Sequence, residues 1–149
     1  MKTIGDPAVR AALTSRLERL DATQSRAWGT MSVHQMVVHL GDGAEAALAR
    51  RPFSAPSRRA SRVLKWIALR LPLPWPHGIR AGADPATRAV SANAFTADRD
   101  RAVQTLGELA AAPASALAAR HPIFGAMSRA DWQRWAFLHT DHHLRQFGL

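Results

Sequence analysis

Ser128-Arg129-Ala130-Asp131-Trp132-Gln133-Arg134-Trp135-Ala136-Phe137-Leu138-His139-Thr140-Asp141-His142-His143-Leu144-Arg145-Gln146 reads as one long amphipathic helix reaching almost to the C-terminus. Ser128, with Asp131 three residues on, is a helix start: a Ser oxygen accepts from one of the N–H groups that the first turn leaves unpaired. At about 100° per residue, His139 and His143 point the same way, one turn apart. Trp132, Trp135, Ala136 and Gln146 share that face, so both imidazoles project from an apolar stripe. A His pair at i and i+4 can converge its ring nitrogens on one divalent ion.

Two ligands make a weak site, and a second helix offers a third. Ser32-Val33-His34-Gln35 is a capping box in which the Ser side chain accepts from the backbone and the Gln reaches back. It opens a helix to about Arg50, with Val33, Met36, Val37, Leu40, Ala44, Ala47 and Leu48 as its apolar stripe. His39 lies inside the part of that stripe marked by Met36, Leu40, Gly43 and Ala47, whereas His34 points to nearly the opposite side and is expected in water. Three neutral imidazoles buried together need donors and acceptors that an apolar stripe does not supply. A divalent ion on His39, His139 and His143 resolves that need and leaves positions open for water and substrate. The competing reading is three core histidines hydrogen-bonded to Trp or backbone.

The remaining segments are also helical or irregular. Asp6-Pro7 starts a first helix with Val9, Ala12, Leu13, Leu17 and Leu20 at helical steps. Another runs from near Thr96, with Val103, Leu106 and Leu109 inward, and ends before Pro113. Between them, segment 51–95 is a long crossover that admits a short helix from about Ala60 to Leu71. Pro72, Pro74, Pro76, Gly78 and Pro85 then forbid a long helix or a central strand. His121-Pro122-Ile123-Phe124-Gly125 is a turn expected to pack on the bundle, and His77 is expected exposed in the crossover. No segment alternates convincingly as a strand. The expected architecture is all-α: a single domain over residues 1–149, a four-helix bundle with a long proline-rich crossover containing an extra short helix.

Composition bounds the chemistry. At 149 residues the chain can bury a real core, and 47 % hydrophobic content argues against disorder. Cysteine is absent, which removes disulfides, thiolate ligands and any cysteine nucleophile, and fits a reducing, cytoplasmic setting. The formal charge is +9, from 20 Lys+Arg against 11 Asp+Glu, and the positive charge is spread along the chain. No apolar segment has the length of a membrane span.

Three stretches of these segments carry a family resemblance. Trp28-Gly29-Thr30-Met31-Ser32-Val33-His34-Gln35-Met36-Val37-Val38-His39-Leu40 resembles the second-helix signature of the DinB/YfiT-like superfamily. His139-Thr140-Asp141-His142-His143-Leu144-Arg145-Gln146-Phe147 resembles its last-helix signature, H-x-x-H-H-x-x-Q. The His121-Pro122-Ile123-Phe124-Gly125 stretch, followed by Asp131-Trp132, is closest to one uncharacterised, domain-of-unknown-function branch. The resemblance implies a four-helix bundle, often dimeric, that holds a divalent metal on His39, His139 and His143 by matching position. Better-known relatives transfer low-molecular-weight thiols onto electrophiles or isomerise with a thiol cofactor. The proline-rich crossover matches nothing in that pattern.

These readings lead to a metal-dependent enzyme, a transferase or hydrolase acting on a small electrophilic substrate. Three imidazoles suit zinc, nickel, iron or copper, with zinc or nickel expected first. With no Cys in the chain, a thiol nucleophile would come from an external low-molecular-weight thiol. Gln35, His142 and Gln146 are candidates to hydrogen-bond the outer ring nitrogens of the ligands. Trp132 and Trp135 are candidate pocket walls, although a stripe at helical spacing is ordinarily core. Asp42 and Glu45 lie near His39 in sequence, but Asp42 falls off the stripe and neither is expected to act as a base. The alternatives are a non-catalytic metal-binding or stress-response bundle working through a partner, and a basic anion or membrane-surface binder. For the last, Arg58, Arg59, Arg62, Lys65 and Arg70 interleave with Val63, Leu64, Trp66 and Ile67. The commoner fate of such a helix is to dock on the core with its cations in water. The expected partners are therefore a small-molecule substrate and a second copy of the chain, not nucleic acid or membrane.

Overall fold

The computed structural model describes residues 1–53, 61–77 and 85–149. Its long elements are helices: α1 (Pro7–Glu18), α2 (Val33–Ala47), α3 (Arg62–Arg70), α4 (Phe95–Ala111) and α5 (Arg129–Gln146). Each of the three best-capped helices starts where its cap dictates. Asp6 accepts from the N–H groups of Ala8 and Val9, and Pro7 fills the first turn of α1. Ser32–Gln35 and Ser128–Asp131 form complete capping boxes at α2 and α5.

Among the described residues the secondary structure is helical apart from one two-residue antiparallel ladder, in which Arg120 pairs with Ala126 and His121 with Gly125. Gly125 closes it with φ 73°, a left-handed conformation that glycine adopts without strain. This ladder is too short to appear as alternation in sequence, and it holds the His121–Gly125 turn against the core.

The helices enclose one core. Leu13 and Leu17 enter from α1, Met36, Val37 and Ala47 from α2, Leu106 and Leu109 from α4, and Trp132, Ala136 and Leu144 from α5. Helix α4 lies along α2 and also meets α1, while α5 contacts α1, α2 and α4. That arrangement corrects one expectation. His34, expected in water, is buried: its Nε2 lies 2.8 Å from Asp98 Oδ2 on α4, and its ring meets Phe95 edge-on. The periodicity of α2 alone marks one buried face, but α4 covers a second.

The segment after α2 begins with salt bridges from Arg51 back to Asp42 and Glu45, and then returns to the helical core. Ser61 caps α3, and its own N–H donates to the Ile123 carbonyl. The predicted start of this helix near Ala60, together with Arg58 and Arg59, lies outside the described residues. Among the described residues, no helix is long and apolar enough to cross a membrane.

Candidate metal centre

His39 comes from the middle of α2, and His139 and His143 from successive turns of α5. One ring nitrogen from each lies within 4.8 Å of those of the other two. His39 Nε2 and His139 Nε2 are 2.9 Å apart. His143 meets His39 and His139 edge-on, with ring centroids 5.0 and 4.8 Å away. Gly43 permits this apposition of α2 and α5: a Cβ there would lie 3.3 Å from both His139 Cε1 and Trp135 Cη2.

Burial keeps these rings neutral. It pushes His39 down to about 4, against a weaker opposing pull from Asp42. Burial also lowers His143, to about 3, and holds His139 well below its ordinary value, with the neighbouring histidines adding to both shifts. Neutral imidazole is the ligand form of histidine, so near neutral pH the three present lone pairs rather than charges. At 2.9 Å, the His39 and His139 Nε2 atoms are at hydrogen-bond distance, so without a cation to accept both lone pairs one ring must donate an N–H to the other.

The tautomer of His143 follows from Gln146. The Gln146 Nε2 donates to the Trp28 carbonyl at 2.8 Å, which can only accept, so its Oε1 is the atom facing His143 Nδ1 at 2.9 Å. Nδ1 therefore carries the proton, and Nε2 is left as the lone-pair donor. Gly29 makes this possible. Its φ is 79°, and a Cβ on it would collide with the Gln146 amide. The Trp28-Gly29 pair is legible as part of a motif; its task, seating the amide that orients the His143 ring, appears only in three dimensions.

The other predicted residues separate in the structure. Gln35 does not reach the cluster: its Oε1 accepts from Ser32 N, and its Nε2 donates to the Ala86 and Arg88 carbonyls, which ties the end of the crossover to α2. His142 lies on the outer side, edge-on to His143 at 5.2 Å, with Trp28 at 6.1 Å and Trp75 at 6.3 Å. Burial, then the nearby His77, lowers its pKa. Trp135 stacks on His139 at 4.7 Å and 16°. Trp132 is fully buried, stacked on Phe53 and donating to the Ala118 carbonyl.

Two residues of the crossover reach this site without any periodic signal. His77 is exposed, as expected, yet it stacks on Trp28 at 4.1 Å and 9°. Trp75 lies 6.5 Å from the His139 ring, its indole N–H held by the Ala68 carbonyl. Trp28, Trp75, His77 and His142 thus flank one side of the histidine cluster. A small cavity of about 10 Å³, roughly one water molecule, touches His139 and Thr140 between Leu17, Leu40 and Leu106. Asp42 is occupied by Arg51, Arg88 and Arg101, and Glu45 by Arg51 and Arg101.

A family model described as a protein of unknown function (DUF1569) matches residues 7–148, and the chain belongs to that family. No curated protein and no solved structure matches.

Proposed function

With membership of the DUF1569 family as the premise, we propose that the chain is a metal-dependent enzyme whose divalent ion sits on His39, His139 and His143. Helices α1, α2, α4 and α5 would form a four-helix bundle of the DinB-like type, with α3 in the crossover. The observation that carries this reading is the convergence of three neutral imidazoles, one of them held by Gln146 in the tautomer that presents Nε2. Zinc or nickel suits three nitrogen ligands, and iron is also compatible.

The donor set fits a reactive centre better than a purely structural one. Three side chains leave at least one coordination position open, whereas structural zinc sites are closed by four. A divalent ion held this way lowers the pKa of a bound water or thiol and so supplies a nucleophile near neutral pH. The chain's own part is positional. Gln146 fixes the His143 ring, Trp135 packs against His139, and Trp28, Trp75 and His77 form an aromatic wall on the open side suited to a small, partly apolar electrophile. The nucleophile is water for a hydrolase, or an external low-molecular-weight thiol for a transferase. The superfamily resemblance favours the thiol and a homodimer.

Elemental analysis of protein purified without a histidine tag tests this directly. Near-stoichiometric divalent metal in the wild type, lost in His143→Ala, is the expected result, followed by thiol-transfer and hydrolysis screens with that metal. A wild-type protein that neither contains nor takes up zinc, nickel or iron would make these three residues core histidines.

A further inference from the structure

Helix α3 is docked the wrong way round for a helix that merely covers a core. Its inward residues are Leu69, Ala68 and Lys65, and the Lys65 ammonium donates to the Ala126 carbonyl and pairs with Asp131 at 3.1 Å. Arg70 reaches the same carboxylate at 3.4 Å. Asp131 also closes the α5 capping box, so this carboxylate fixes the rotation of α3 about its axis. The large apolar residues consequently face water: Val63 is 69 % exposed, Trp66 58 %, Leu64 44 % and Ile67 38 %, with Leu73 at 56 % just beyond the helix.

Exposing a Trp, two Leu, an Ile and a Val together is costly, and contiguous apolar patches of this kind mark contact surfaces. Charge selects the partner. Arg62 is exposed at the edge of the patch and makes no ion pair among the described residues, Arg70 flanks it, and the whole chain carries +9. A second copy would set these cations against one another. An anionic lipid surface complements both features, since apolar side chains enter the acyl boundary while Arg side chains meet headgroup phosphates, and Trp favours that interface.

We propose that the Val63–Trp66–Ile67 face of α3, with Leu73, is a peripheral docking surface for anionic membranes. This places the crossover helix at the lipid boundary, a few residues before Trp75 and His77 at the histidine cluster.

Co-flotation of the full-length protein with vesicles tests the proposal. One set contains phosphatidylglycerol and phosphatidylcholine, the other phosphatidylcholine alone. Binding is expected to the anionic set only, and to weaken as salt rises. Val63→Ser with Trp66→Ser leaves the charge unchanged and replaces only exposed side chains, so the fold, checked by circular dichroism, is retained. Apparent affinity should fall about tenfold or more for loss of two buried side chains. Three results would overturn the proposal: no flotation of the wild type, equal flotation of the double variant, or a solution dimer that the double variant converts to monomer. The last would assign the face to a second copy of the chain.

Discussion

At His143 the choice of tautomer follows from two neighbours, Gln146 and the Trp28 carbonyl, and this makes the site sensitive to residues that do not touch a metal. Gln146→Ala removes the acceptor at Nδ1 and strands the Trp28 carbonyl. Metal affinity should fall about 10- to 100-fold, as for other groups that orient a ligand, and stability by about 1–3 kcal/mol; competitive metal titration and thermal melts read the two separately. Gly29→Ala should weaken metal binding in the same direction, because its φ of 79° is strained for any side chain and the added Cβ displaces the amide. A second residue-scale prediction concerns His121. Burial pushes it from its ordinary 6.5 down to about 4, and its Nδ1 accepts from Ile123 N at 3.1 Å. The folded state disfavours the proton, so the unfolded chain binds it first as pH falls. The stability tied to neutral His121 is therefore complete above about pH 6.5 and is lost progressively down to about pH 4, amounting to about 3 kcal/mol. His121→Asn keeps an acceptor for Ile123 N but does not titrate, and its melting temperature should vary less than the wild type's between those pH values.

The meeting of α2 with α5 depends on Gly43, where His139 and Trp135 leave no comfortable room for a methyl group. Gly43→Ala gains helix propensity worth about 1 kcal/mol but must push His139 away from His39. Metal-free stability should change little while metal affinity drops. Gly107 on α4 is the control: a Cβ there meets nothing within 4 Å, so Gly107→Ala should raise stability by about 1 kcal/mol and leave metal binding unchanged. This contrast also marks what the sequence conveys. The i, i+4 spacing of His139 and His143 and the position of His39 in the α2 stripe are properties of single helices, and both were readable. The burial of His34 is not legible because periodicity describes one helix at a time and cannot tell that α4 covers its far side. By sequence Gln35 is a candidate partner of the histidine rings, yet its capping box and two crossover carbonyls use its whole amide. Trp75 and His77 lie in a proline-rich stretch with no period, so nothing in the sequence placed them beside the cluster. Whether a glycine sits at a helix contact, as Gly43 does and Gly107 does not, is decided by the partner helix.

For the molecule as a whole, a metal on these residues would join helices far apart in the chain, since His39 and His139 are separated by 100 residues. The unfolded chain has no such site, so binding adds to folding stability by mass action, about 2.7 kcal/mol when free metal is a hundred times its Kd. For a domain of this size each kcal/mol moves the melting temperature about 2–4 °C. Adding zinc or nickel to chelator-treated protein should therefore raise it by roughly 5–10 °C. The rise should vanish in His143→Ala and persist in His34→Ala, whose ring pairs with Asp98 rather than with the cluster. The comparison matters because His77 and His142 also lie near one another, with ring centroids 6.0 Å apart. A rise that survives His143→Ala but disappears in His77→Ala would move metal binding to that outer pair. In that event His39, His139 and His143 would be satisfied by their own hydrogen bonds, and the low proton affinities of all three would reflect burial in the core.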